Sequence, residues 1–211
     1  MPGSSLWLVP PQGSALNKTL QSLISSTVPS HFPGVQTHNF IPHITITSNI
    51  DPTVYQHSPQ AWLENLPLST NKLLVRFEAC EPGKPFFKKL TVRVKKEDVA
   101  AESLTQVAAI CRAEGVEDRD MDRAREWAER DYLPHLSLIA DLEVSEVEKH
   151  NDDVRDDLEE ARKEVTQDGT GDLVCQGGII VLVPTDKPIS EWQPIAGLEL
   201  PHVMWHWPSG L

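Results

Sequence analysis

The sequence predicts an α+β fold. Strand-like and helix-like segments mingle along the 211 residues without the regular strand–helix–strand alternation of a doubly wound sheet. One five-residue strand frame occurs twice, as Pro42-His43-Ile44-Thr45-Ile46 and as Pro134-His135-Leu136-Ser137-Leu138. Apolar residues make up 39% of the chain, enough at this length for a sizeable core in one large domain or two small lobes.

The elements follow in order. Ser5 to Val9 is an apolar strand stopped by Pro10-Pro11. Ala15 to Ser26 spaces Leu16, Leu20, Leu23 and Ile24 at helical intervals. Prolines and a glycine make Pro29 to Gly34 a loop. Strict alternation over Ile41 to Thr47 marks the first motif strand. Asp51 to Pro67 reads as irregular chain with a short helix. Leu73 to Ala79 and Phe86 to Val94 read as a hairpin-like strand pair around Glu81-Pro82-Gly83. Asp98 to Arg112 and Arg119 to Arg130 are expected helices, and Tyr132 to Ala140 is the second motif strand. Val144 to Val165 has helical propensity but is very acidic, and its charges are expected to form a solvated face. Ile179 to Val183, after Gly177-Gly178, is a short buried strand, and Ile195 to Leu200 is one more. No element is assigned to Pro201 to Leu211. No fixed-period array is present beyond the duplicated frame.

Charge and cysteine content narrow the function classes. The net charge is −12, yet 141–172 holds thirteen acidic and four basic residues and so carries most of it. Six basic residues cluster at Lys84, Lys88, Lys89, Arg93, Lys95 and Lys96. A small anionic ligand fits this distribution; a long nucleic acid on a broad basic face does not. Cys80, Cys111 and Cys175 are odd in number and form no CxxC, so neither a disulfide framework nor a cysteine zinc site is expected. Three reduced thiols and a start without a signal-peptide pattern predict an intracellular protein, cytoplasmic in the first instance, with Golgi association left open. No apolar run reaches membrane-spanning length, so no membrane insertion is expected.

The duplicated frame carries the chemistry. At ordinary residue usage two such matches among eight histidines arise by chance about once in ten thousand sequences. In a strand the histidine and the hydroxyl two residues on share one face, and the apolar partners share the other. Two imidazoles facing one cleft can serve as general acid and general base near neutral pH. One deprotonates water while the other protonates a leaving oxygen, and Thr45 and Ser137 can donate hydrogen bonds to non-bridging phosphate oxygens. The scheme needs no metal or other cofactor, and a strained cyclic phosphodiester is its natural target.

The paired frames resemble those of the two-histidine phosphoesterase superfamily, and the chain is most similar to the cyclic phosphodiesterases of fungi and plants. The opening Ser5-Leu6-Trp7-Leu8-Val9-Pro10, the Phe86-Phe87-Lys88-Lys89-Leu90 segment and the late Ile179 to Val183 strand followed by Glu191-Trp192 extend the resemblance over nearly the whole chain. It implies a bilobal domain over 1–211: two pseudo-symmetric lobes of antiparallel sheet backed by helices, with the motif strands lining a cleft. It also implies hydrolysis of ADP-ribose 1'',2''-cyclic phosphate and of nucleoside 2',3'-cyclic phosphates, the latter to 2'-phosphates. His43 and His135 are then the catalytic pair, with His135 as base and His43 as acid, and Thr45 and Ser137 the phosphate donors. A small cyclic phosphate is the expected partner of a monomeric enzyme. Two departures stand out: the acidic segment after the second motif, and Ala140 where plant relatives offer a tyrosine.

Other readings compete. The same two-histidine chemistry suits RNA end processing or a 2'-5' ligase-like enzyme, and a nucleotide-phosphate binding module without turnover is a third class. Phe87, beside basic residues, is a candidate to stack a nucleobase. His202 and His206 are four apart, a metal-binding spacing on a helix, but proline flanks them and no third ligand is evident, so no metal is expected.

Overall fold

The computed structural model describes residues 3–34, 38–68, 72–82, 90–96, 103–139, 149–166 and 171–209. Among these, nine strands form one mixed, curled sheet backed by five helices, the α+β class expected from the sequence. The strands are β1 (Ser4–Val9), β2 (Ile44–Ile50), β3 (Leu73–Pro82), β4 (Leu90–Val94), β5 (His135–Ile139), β6 (Leu173–Gln176), β7 (Ile179–Pro184), β8 (Ala196–Glu199) and β9 (Val203–Trp207). Their order across the sheet is β6-β9-β3-β4-β5-β2-β1-β7-β8. All neighbours run antiparallel except β3 and β9. The two motif strands, β2 and β5, meet in the middle and join the two halves.

Strand alternation divides the sheet into two faces. Leu6, Leu8, Ile44, Ile46, Leu136, Leu138, Ile180 and Leu182 enter the main core. Trp7, Val9, Val181 and Val183 point the other way and form a second, smaller apolar cluster with Ile41, Ile179 and Trp192. The helices cover the main-core face. They are α1 (Ala15–Ser22), α2 (Pro59–Glu64), α3 (Leu104–Gly115), α4 (Met121–Arg130) and α5 (Asn151–Val165). Four of them start on a side-chain cap: Ser14, Ser58, Ser103 and Asp120 accept from the amides of Asn17, Ala61, Gln106 and Arg123. Gln60 on α2 exchanges hydrogen bonds with the backbone of Gly197, which covers part of the β8 edge.

Several boundaries differ from the sequence reading for local reasons. Helix α1 does not stop at Ser26; it widens into a π turn over Leu23–Thr27 and runs on through Val28–Ser30, so that Pro29 falls in the last turn of the helical run rather than in a loop. Strand β2 begins at Ile44 rather than Ile41 and extends to Ile50, and its extra residues opposite β1 are taken up as bulges in β2 between Thr45 and Ile50. Glu81 and Pro82 belong to β3 rather than to a turn. Helix α3 starts after its Ser103 cap and runs past Arg112 to Gly115.

Helix α5 is solvated on one side as expected, yet it buries Val154, Leu158 and Arg162 on the other. The Arg162 guanidinium is held by both oxygens of Glu159 and by the Gly171 carbonyl. The unassigned tail contains β9, which buries Val203, Trp205 and Trp207 on alternate positions. Trp205 donates its Nε1–H to the carbonyl of Gly177 at 2.7 Å, and Gly177 holds a left-handed φ of 96° at the β6–β7 turn. Among the described residues no helix is long and apolar enough to cross a membrane.

Two outcomes follow. Trp205→Ala should destabilise the fold by about 3–5 kcal/mol, read as a lower urea midpoint at unchanged slope. Burial pushes the Cys80 and Cys111 thiols up to about 12, so both stay protonated and unreactive at pH 8, while the half-buried Cys175 should alkylate first with iodoacetamide. Mass spectrometry of the native protein reads the order, and early labelling of Cys80 or Cys111 would contradict it.

Candidate active site

The innermost strand of each half supplies one copy of the frame, and the sheet sets them side by side. Ile44 of β2 pairs with Leu136 of β5, and both are fully buried in the main core. The strands are antiparallel, so one step along from that pair puts Thr45 beside His135 and His43 beside Ser137. Because side chains alternate, all four point away from the core, onto the same face. Adjacent strands lie about 4.8 Å apart, so the two imidazoles and two hydroxyls form one compact patch.

Flanking registers extend the patch in rows. Trp7 of β1 is opposite Thr45, and Arg93 and Thr91 of β4 are opposite His135 and Ser137. The Arg93 guanidinium is held by Glu78 at 3.2 Å and by Glu81 at 3.3 Å.

Both histidines are fixed by the same device. His43 Nδ1 lies 2.7 Å from the carbonyl oxygen of Ile41, and His135 Nδ1 lies 2.8 Å from that of Leu133. The acceptor is in each case the residue before the proline. Proline locks its own φ and holds the preceding residue extended, which turns that carbonyl toward the imidazole. A carbonyl only accepts, so Nδ1 carries the hydrogen and Nε2 is the basic nitrogen of each neutral ring.

The surroundings of the two rings differ. His43 is buried and stacks on Trp7, with ring centres 3.8 Å apart and 15° between planes. Phe40 meets it edge-on at 5.9 Å. His135 is only half-buried. Trp7 and Phe40, which contact His43, also wall a cavity of about 250 Å³ together with Trp192, edged by Gln21, Asn39 and Gln193. Trp192 packs edge-on against Trp7 at 5.6 Å.

The structure thus brings together His43, Thr45, His135 and Ser137. Phe87 and Ala140 lie outside the described residues. The helical spacing considered for His202 and His206 does not arise: His202 lies in a turn and His206 in β9. His206 Nε2 lies 2.6 Å from Asp172, and that contact, with the Ser209 amide, holds the Asp172 carboxyl below the usual carboxylate range. Sequence reading treated Trp7 as packing and Arg93 only as one of six cations. The sequence clue for Trp7 was its place on β1, out of phase with Leu6 and Leu8 and therefore on the motif face. Phe40 and Trp192 carried no such signal, because their approach depends on loops.

The chain resembles known proteins over most of its length. The family model described as cyclic phosphodiesterase-like protein matches residues 1–200. A protein of Phaeosphaeria nodorum named 2',3'-cyclic-nucleotide 3'-phosphodiesterase is 41% identical over 209 residues, covering 95% of this chain and all of that protein. Proteins of the same name from Neurospora crassa and Yarrowia lipolytica are 34% and 26% identical, over 93% and 90% of this chain and 98% and 96% of their own lengths.

If Trp7 shields His43, the Nδ1–H of that ring should exchange slowly with water and give an observable imidazole proton resonance at low temperature. Trp7→Leu should broaden or abolish it while leaving the His135 resonance unaffected. An unchanged His43 signal would show that the stack is incidental.

Proposed function

The chain belongs to the cyclic phosphodiesterase-like family, and from that premise we propose that it hydrolyses nucleoside 2',3'-cyclic phosphates to 2'-phosphates and ADP-ribose 1'',2''-cyclic phosphate to ADP-ribose 1''-phosphate. The observation that carries this reading is the placement of two His–hydroxyl pairs on one face of adjacent strands through the Ile44–Leu136 pairing.

In the proposed reaction His135 Nε2 takes a proton from water as its oxygen attacks phosphorus. The P–O3' bond of the ring breaks, and the departing O3' takes a proton from His43 Nε2. The ring opens to a 2'-phosphate and a 3'-hydroxyl, and the two histidines exchange protonation states, which solvent restores. The asymmetry of burial supports this division of roles. The half-buried His135 has ready access to water, while the buried His43 is enclosed by Trp7 and Phe40, which also wall a cavity suited to the aromatic base of a nucleoside. Thr45 and Ser137 donate to the non-bridging oxygens, where charge grows in the transition state. No step calls on a metal ion.

Each half of the sheet supplies one histidine and one hydroxyl, so 1–211 acts as one unit and the site is complete within one monomer. A small cyclic phosphate is the substrate we favour over long RNA, because Arg93, the cation opposite His135 on β4, is already held by two carboxylates. The enzyme names of the curated relatives favour turnover over simple binding.

Assay of 2',3'-cyclic AMP in excess chelator tests the proposal: a 2'-phosphate product is expected. No hydrolysis of it or of the ADP-ribose cyclic phosphate would refute the reading, and a 3'-phosphate would reverse the bond that breaks. His43→Asn and His135→Asn keep an amide N–H where Nδ1 sits but lose Nε2. Each should lower kcat by about 10²–10⁴-fold with the fold intact by circular dichroism. The pH profile should be bell-shaped, with the acidic limb lost in the His135 variant and the alkaline limb lost in the His43 variant. Thr45→Ala and Ser137→Ala should each reduce kcat/KM about tenfold or more. Unchanged kinetics would confine the hydroxyls to a structural role.

A further inference from the structure

A second cluster of ligand-bearing side chains lies on the helical layer, on the far side of the sheet from the motif face. His31 follows the Val28–Ser30 turn, which packs behind β5, and His150 caps the start of α5. Their rings are 6.0 Å apart. Asp153 and Asp157 follow His150 by three and seven residues and so share its helix face. His31 Nε2 lies 2.6 Å from Asp157, and His150 Nδ1 lies 3.3 Å from Asp153. Donor atoms of His31, His150 and Asp153 all fall within 4.8 Å of one another. Phe32 packs edge-on against His150 at 5.3 Å and limits its ring positions.

We propose that His31, His150 and Asp153 form a binding site for a borderline transition-metal cation such as Zn²⁺, with Asp157 either completing the shell or orienting His31. Two isolated histidine–aspartate pairs need not converge; these do, from two separate elements. Two imidazole nitrogens with carboxylate oxygens are a donor set that suits tetrahedral zinc. Bonds of about 2.0–2.1 Å require ligand atoms about 3.3 Å apart. The His150–Asp153 pair already has this spacing at 3.3 Å, so contraction from 4.8 Å requires adjustment on the His31 side of the cluster. The many carboxylates of α5 favour a cation there and outweigh the unfavourable sign of the helix N-terminus. A bound ion would tie the end of the first helical run to the acidic helix. That tie would be separate from the catalytic pair.

The test uses the full chain after chelation and dialysis. Zn²⁺ should bind with one-to-one stoichiometry and raise Tm by about 5–10 °C at a hundredfold excess over Kd. Co²⁺ should give the intense visible absorption of a four-coordinate site. His150→Gln and Asp153→Asn alter a half-buried and an exposed side chain outside the hydrophobic core and should keep the fold. Each should weaken Zn²⁺ binding at least tenfold, and the double variant should lose the Co²⁺ band. His206→Gln, at the other histidine–aspartate pair, should change neither. The absence of stoichiometric binding would overturn the proposal, as would a Co²⁺ band that survives in the double variant.

Discussion

The pairing of Ile44 with Leu136 is the constraint on which the candidate site depends. A strand that slips by one residue turns every side chain to the opposite face. Here such a slip would bury two imidazoles and expose Ile44, Ile46, Leu136 and Leu138. Each of those four is fully buried, and each contributes about 1.5–3 kcal/mol by leaving water. The apolar positions of the frame therefore select the face on which the histidines appear. Packing of the core and presentation of the site are one choice, made twice and then locked together where the two halves of the sheet meet.

Proline supplies the second layer of control. In both copies it holds the preceding carbonyl against Nδ1 of the following histidine, so each ring carries its Nδ1 hydrogen and keeps Nε2 as its proton-exchanging nitrogen. The backbone device is the same in both halves; the difference comes from neighbours. Trp7 and Phe40 enclose His43, while His135 remains more open and has Arg93 across the strand. One backbone device, used twice, can thus leave two identical residues in unequal environments, which is what opposed acid and base roles call for.

Much of this was legible in the sequence because it is local. Alternation within the frames placed histidine and hydroxyl on one face, and periodicity found α1, α4, β1 and β7. What escaped was non-local. β9 was missed because prolines and histidines masked the alternation of Val203, Trp205 and Trp207, and because its partner, β3, lies some 130 residues earlier in a parallel pairing. The aromatic wall around His43 depends on Phe40 and Trp192, which approach from loops. The inward face of α5 was hidden by acid content: Val154 and Leu158 keep helical spacing, and the buried Arg162 is met by Glu159 and Gly171. That the two motif strands are direct neighbours was also beyond the sequence, since 84 residues separate Ile50 from His135.

The most direct test of the central claim is a crystal structure with a nucleoside and orthovanadate, a mimic of five-coordinate phosphorus. The account predicts vanadium between the two strands, with its apical oxygens within hydrogen-bond distance of Nε2 of His43 and of His135 and its equatorial oxygens on Thr45 and Ser137. An oxyanion bound to one histidine alone, or elsewhere on the protein, would contradict it.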